Sequence, residues 1–177
     1  IAASIAMLDE LAVAYGWQFY HTENGAVFTP ENLQRFRLIV LNHKSGTVWT
    51  QAQRQALRDY VERGGTLLAQ HAAGGDQSYD WSWYFDQALR AQFVDHPMIQ
   101  HIQQATLVVE DHSHPATAHL PSAWVRADEW YNFAASPRGK TQVLISIDEA
   151  TYDPEKSPMG ADHPMVWWHT VGKGRVF

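Results

Sequence analysis

The 177-residue sequence has 45% hydrophobic and 18% charged residues, which describes an ordinary globular protein large enough to bury a core. A formal net charge of −6 argues against nucleic-acid binding, because no basic stripe is available to neutralise phosphates. No apolar run approaches the ~18 residues of a membrane span, and the lack of Cys excludes disulfides and thiolate nucleophiles while leaving the compartment open.

The first half of the chain alternates predicted helices and strands. Apolar residues at helical spacing predict a first helix that ends at Gly16, and "WQFYHT" then predicts a short strand. Thr29 before Pro30 predicts a helix start, and Thr50 predicts the N-cap of another helix. The strands "RLIVLN" and "TLLAQ" are nearly continuous apolar, which is typical of strands covered on both faces. This alternation predicts a parallel, doubly wound sheet. We expect the inward face of the helix after Thr50 to consist of Ala56, Leu57, Tyr60 and Val61.

The second half is rich in predicted strands, with few helices between them. The candidates are "ATLVVE", "AWVRADEWY", "TQVLISID", "PMVWWH" and "RVF", which we interpret as the rest of the sheet plus a β-rich excursion. Internal repeats, low-complexity tracts and linkers are absent from the sequence, so residues 1–177 are predicted to form one domain.

His71 lies in "LLAQHAAGGD", where a predicted buried strand meets a tight turn. Ligands of open parallel sheets bind at the carboxyl ends of strands, and the small residues from Ala72 to Gly75 allow backbone or substrate to approach closely. A histidine at this place suits a general base, a proton donor or a metal ligand. The alternative is an imidazole that only bonds a neighbouring carbonyl.

The stretch "DEWYNF", residues 128–133, places two carboxylates among aromatic rings. In a strand, Asp128 shares a face with Trp130, and Glu129 shares the other face with Tyr131. Desolvation beside aromatic rings favours the protonated form of a carboxyl group, which suits acid–base chemistry. The alternative is a strand end that carries surface acids.

His163 lies between Asp162 and Pro164, and the residue before proline avoids the helical region. The adjacent Asp162 could hold one imidazole tautomer, although neighbours in a strand usually point apart. His71, His163 and Glu129 together would give a His₂-carboxylate set for a divalent metal such as zinc, but no local motif such as HExxH supports it. The other histidines are interpreted as parts of rigid turns (His96, His114), as solvated (His112), or without function (His21, His101, His119, His169).

These motifs, in this order, resemble the ThuA-like family, which is named for a trehalose-utilisation protein. The resemblance implies a fold similar to class I glutamine amidotransferases, a flavodoxin-like three-layer α/β sandwich with a mainly parallel sheet. In it, His71 occupies the elbow where amidotransferases hold cysteine. The family pattern also has a first strand and a C-terminal segment that this sequence lacks, so we expect both to be missing here. The matching stretches are "VFTPENLQRFRLIVLN", "RGGTLLAQHAA", "YDWSWY", "FVDHP", "VVEDHSHPAT", "LPSAWVRADEWYNF", "VLISIDEATYD", "MGADHPMVWW" and "GKGRVF".

The resemblance implies an enzyme of carbohydrate catabolism that acts on a disaccharide, glycoside or keto-sugar. His71 would be base or metal ligand, Glu129 acid or base, and His163 a second proton-transfer group or ligand. Glu129 and Asp162 could also form a glycosidase-like pair of carboxylates. The alternative is a non-catalytic sugar-binding or interaction domain within a larger parent protein, and a homo-oligomer is compatible with either. Substrate contacts would come from Asp128 and from the aromatic residues Trp81, Trp83, Tyr84, Trp130 and Tyr131.

Overall fold

The computed structural model describes residues 2–74 and 80–177, so Gly75 lies outside the described residues. Within these ranges, the chain forms three α-helices and nine β-strands, together with short 3₁₀ turns and a π-helical segment, Tyr84–Leu89. The helices are α1 (Ala2–Tyr15), α2 (Pro30–Leu33) and α3 (Gln51–Glu62). The strands are β1 (Leu38–Asn42), β2 (Thr66–Gln70), β3 (Phe93–Asp95), β4 (Gln103–Val109), β5 (Ala123–Asp128), β6 (Asn132–Phe133), β7 (Gln142–Asp148), β8 (Pro164–Val171) and β9 (Gly174–Val176).

Seven strands form one curled sheet in the order β1-β2-β9-β8-β7-β4-β5, and β3 pairs with β6 in a separate two-stranded sheet. Only β1, β2 and β9 run parallel to one another, whereas the pairs from β9 to β5 are antiparallel. The α/β class is therefore confirmed. The mainly parallel sheet is wrong, because the β-rich half joins the same sheet through antiparallel neighbours, and the flavodoxin-like sandwich is not confirmed.

The predicted helix starts are confirmed by their cap geometry. The hydroxyl of Thr29 accepts the Asn32 N–H at 3.3 Å, and Pro30 opens α2. Thr50 forms a capping box with Gln53 at the start of α3, which satisfies two orphan backbone donors reciprocally. The inward face of α3 is also as predicted, since its buried residues are Ala56, Leu57, Tyr60 and Val61.

Two predictions for the first half are wrong. The stretch "WQFYHT" has no strand structure, and its aromatic residues Trp17 and Tyr20 are exposed. The strands β1 and β2 are half-buried rather than covered on both faces. β1 also stands at the edge of the sheet, with β2 as its strand neighbour.

The sheet carries two apolar cores, one for each half. The first joins α3 to the parallel strands and includes Leu57 and Leu67, and the second lies over β4 and β7 and includes Leu107 and Leu144. Strand β9 approaches helix α3 so closely that a Cβ on Gly174 would lie 2.0 Å from the Val61 carbonyl oxygen. Among the described helices, none has the length and apolar character that crossing a membrane requires.

Candidate functional site

Two histidines occupy equivalent positions at the carboxyl ends of β1 and β2. Asn42 and Gln70 are paired in register, so the next residues, His43 and His71, lie side by side. Both have a φ of 57°, a left-handed conformation that costs a non-glycine residue about 1 kcal/mol and concentrates at functional sites. Their Nδ1 atoms are 2.7 Å apart. The turn at the end of β2 that carries His71 therefore has a counterpart at the end of β1, which carries His43.

The short β3–β6 ladder brings a second group of side chains to these histidines. Its register pairs Asp95 with Asn132, and the Asn132 amide donates to Asp95 Oδ1 at 2.8 Å. The flanking residues His96 and Tyr131 consequently stack, with ring centroids 5.5 Å apart and planes at 16°. Glu129 lies in the same connection, directly after β5.

Glu129 is the centre of the arrangement. Its Oε2 is 2.9 Å from His71 Nε2, and its Oε1 is 2.8 Å from His101 Nε2. The side chain is only 16% exposed, and the Tyr131 hydroxyl lies 3.0 Å from His71 Nδ1. We name these side chains the His–Glu cluster, which consists of His43, His71, His96, His101, Glu129 and Tyr131.

The environment of His71 favours its neutral form. Burial lowers the pKa of the imidazole, the charge of Glu129 opposes this effect, and His43 adds to it. A neutral imidazole has one N–H and one lone pair. Because the Glu129 carboxylate accepts from Nε2, the lone pair of His71 lies on Nδ1, the atom that faces His43 and Tyr131.

His163 does not join the cluster, contrary to the predicted catalytic and metal-ligand set. Its side chain is fully buried, with Nδ1 2.9 Å from Glu149 Oε1 and Nε2 2.8 Å from the Tyr131 carbonyl oxygen. Both ring nitrogens are therefore occupied inside the protein. His163 therefore contacts the backbone of Tyr131 and lies outside the His–Glu cluster.

The two aspartates proposed for the site are engaged by arginines. Asp162 Oδ1 accepts from Arg138 Nε at 2.6 Å, and the same guanidinium binds both oxygens of Glu110. Asp128 pairs with Arg126 and accepts the Glu129 N–H at 3.0 Å. The carboxylates of the predicted glycosidase-like pair thus have different partners, arginine for Asp162 and histidines for Glu129.

Most of the aromatic residues predicted as a stacking surface belong to the cores. Trp83, Tyr84 and Trp130 are buried, and the indole N–H of Trp130 donates to a carbonyl of β4 at 2.8 Å. Trp81 is half-buried and stacks on Trp83, with ring centroids 5.0 Å apart. Tyr131 is the member of the predicted set that lies in the His–Glu cluster.

Sequence reasoning missed three members of the cluster, namely His43, His96 and His101. His43 could have been found, since it follows "RLIVLN" just as His71 follows "TLLAQ". For His96 the sequence indicates a rigid turn, and for His101 it indicates no function. Their approach to Glu129 depends on the pairing of two very short strands, which has no local pattern.

A separate cleft of about 780 Å³ lies beside the end of α3 and the β8–β9 turn. Charged residues line it, among them Arg58, Asp86 and Lys173, together with Trp83. No member of the His–Glu cluster lines this cleft, and Arg58 is paired with Glu62 at 2.8 Å. The convergence of titratable groups therefore marks the cluster, rather than this cleft, as the candidate site.

Comparison with known proteins agrees with the resemblance seen in the sequence. A model of the ThuA family, described as trehalose utilisation, matches residues 1–177. The chain belongs to the ThuA family. No match was found among curated proteins.

Similar solved structures include two proteins described as ThuA-like. One, from Bacteroides uniformis, is 25% identical with a TM-score of 0.82 over 99% of this chain and 72% of its own. The other, from Parabacteroides merdae, is 18% identical with a TM-score of 0.66 over 91% of this chain and 64% of its own. A GH42 β-galactosidase, Gan42B, is 14% identical with a TM-score of 0.50 and is covered over 19% of its length. The ThuA-like structures support the fold, and each is longer than the matched region.

Proposed function

We propose that this protein is a carbohydrate-processing enzyme in which His71 and Glu129 move protons to and from a sugar substrate. Membership of the trehalose-utilisation family supports the substrate class. The observation that carries the chemistry is the position of Glu129. Its two oxygens lie 2.9 Å from His71 Nε2, at the end of the parallel strand β2, and 2.8 Å from His101 Nε2.

In this proposal His71 is the general base. Glu129 fixes the tautomer with hydrogen on Nε2 and stabilises the imidazolium that forms when Nδ1 takes a proton, which is the role of the carboxylate in a catalytic triad. The Nδ1 atom has one lone pair and two neighbours, the Tyr131 hydroxyl at 3.0 Å and His43 Nδ1 at 2.7 Å. A sugar hydroxyl can replace one of these neighbours without opening the structure, because His43 is exposed.

The test is turnover of trehalose, and of trehalose with one ring hydroxyl oxidised to a ketone, followed by chromatography of the products. His71→Gln and Glu129→Gln are each expected to lower kcat/KM at least about 100-fold, the usual contribution of a positioned acid or base. His119→Gln is the matched control, because His119 is an exposed histidine outside the cluster. Circular dichroism checks that each variant folds. If both variants turned over sugar with the kcat/KM of the wild type, the proposal would be contradicted.

A non-catalytic sugar-binding domain is the second candidate. It is favoured by the similarity to Gan42B, in which a comparable fold takes up 19% of a much longer chain. This candidate predicts saturable binding of trehalose in calorimetry, no product from either sugar, and the same affinity in His71→Gln. Absence of both binding and turnover would contradict the two candidates together.

A further inference from the structure

We propose that His96, His101 and Glu129 form a binding site for a divalent transition metal such as Zn²⁺. One ligand atom of each residue lies within 4.8 Å of the others. The ligands of a tetrahedral Zn²⁺ ion, each about 2.0–2.1 Å from the metal, are roughly 3.4 Å apart. Side-chain adjustments of about 1 Å would therefore close the site around an ion.

Existing hydrogen bonds leave a lone pair for a metal on one atom of His96 and on Glu129. His96 Nδ1 is 2.9 Å from the Pro97 carbonyl oxygen, and a carbonyl can only accept, so Nδ1 carries the hydrogen and Nε2 carries the lone pair. Metal-binding histidines are commonly oriented in this way, with the second ring nitrogen bonded to a carbonyl or carboxylate. Glu129 is held through Oε2 by His71 Nε2, and its Oε1 lies 2.8 Å from His101 Nε2. Because a carboxylate only accepts, His101 Nε2 carries the hydrogen here, and metal binding requires that hydrogen to move to Nδ1.

The backbone between the two histidines is fixed from outside the cluster. The N–H groups of Met98 and Ile99 donate to the two carboxylate oxygens of Glu155 at 3.0 and 2.8 Å. This bidentate contact holds the turn that carries His96 and His101, so less conformational entropy is lost when an ion binds. The side chain of His101 is 50% exposed, which gives an ion a route from solvent.

The donor set selects the class of metal. Two imidazoles with one carboxylate suit Zn²⁺ and neighbouring transition metals, whereas Mg²⁺ and Ca²⁺ prefer oxygen ligands. Three protein ligands leave a coordination position for water or a sugar oxygen, and a bound metal would act there as a Lewis acid. The set shares Glu129 with the predicted one but replaces His71 and His163 by His96 and His101, with His71 as a positioning residue behind Glu129.

The experiment titrates ZnCl₂ into full-length protein without a histidine tag, stripped with EDTA and dialysed, in a calorimeter. We expect one ion per chain. Glu129→Gln and His96→Gln should each weaken Zn²⁺ binding more than about 100-fold, because losing a ligand should exceed the 10–100-fold cost of losing an outer partner. His71→Gln should weaken it by about 10–100-fold, and His119→Gln should leave it unchanged. Co²⁺ should give the intense visible absorption of a four-coordinate complex, and this should be lost in Glu129→Gln.

The site is contradicted if Zn²⁺ does not bind at one ion per chain, or if Glu129→Gln and His96→Gln bind it as tightly as the wild type. Circular dichroism of both variants shows whether they fold, and the Co²⁺ spectrum of the wild type tests the site without any substitution. No sugar is present in these measurements, so the result is separate from the proposed function. Zn²⁺ binding by a protein that turns over no sugar would support the site and contradict the enzyme.

Discussion

Replacing His163 by alanine tests whether this histidine is structural rather than catalytic. The substitution leaves the Glu149 carboxylate, which is 11% exposed, without its imidazole partner. Removing one member of a buried pair costs about 3–5 kcal/mol. Glu149 keeps two backbone donors, the N–H groups of Met159 at 2.6 Å and Gly160 at 2.7 Å, so we expect the lower end, about 3 kcal/mol. For a chain of this size this corresponds to a fall in Tm of about 6–12 °C.

The assay is urea denaturation of His163→Ala, followed by circular dichroism and repeated as a thermal scan. His119→Ala is the control, since an exposed histidine should change the free energy of unfolding by less than about 0.5 kcal/mol. A loss below about 1 kcal/mol in His163→Ala would refute the argument from burial and pairing. The same result accompanied by lost sugar turnover would return His163 to a catalytic role.

Three further predictions concern packing and ion pairs. Gly174→Ala should destabilise by about 3 kcal/mol or more, because its Cβ would lie 2.0 Å from a carbonyl oxygen of α3; Gly25→Ala, with neighbours at 3.8 Å or beyond, is the near-neutral control in urea denaturation. Trp130→Phe should cost about 1–3 kcal/mol in the same assay, since a buried carbonyl of β4 loses its donor. Hydrogen bonds from Arg138 lower the pKa of Glu110 below its usual 4.5, so this carboxylate stabilises the fold above about pH 4.5 and the contribution is lost as the pH falls through the folded-state value. Denaturation curves of wild type and Glu110→Gln should therefore differ near pH 7 and converge in acid, whereas a gap that widens in acid would contradict the direction of the shift.

The parts of the fold that could be predicted are those that local chemistry determines. Thr29 and Thr50 cap helices because their side chains reach backbone N–H groups three residues on, a rule that needs no tertiary contact. The stretch "WQFYHT" has the composition of a strand, but a strand also requires a neighbour with which to exchange backbone hydrogen bonds. The direction of the later strands depends on how hairpins join the sheet, and alternation of apolar residues does not encode this.

The candidate site could likewise be predicted only where local sequence determines the position of a residue. His71 could be predicted because a side chain after a parallel strand lies at the binding edge of a sheet. Glu129 could be predicted from its aromatic neighbours, but its partner His101 could not. That contact depends on β3 and β6, strands of three and two residues, whose register shifts between Phe93 and Asp95. Such pairing is specified by tertiary packing rather than by either segment alone.

Glu129 is where the two proposals can be separated by a single substitution. Glu129→Gln keeps the size of the side chain and one oxygen, but it removes the negative charge that both roles require. If the carboxylate acts only as the partner of His71, the loss of turnover should be the same in EDTA-treated and Zn²⁺-loaded protein. If it also holds a metal, wild-type turnover should rise on loading with Zn²⁺ while turnover of Glu129→Gln stays low in both states. His96→Gln is a complementary test, because His96 belongs to the proposed metal set and has no hydrogen bond to His71 among the described ones. Because His96 also stacks on Tyr131, a loss of turnover in His96→Gln would indicate that the metal takes part in the reaction only if EDTA also lowers the turnover of the wild type.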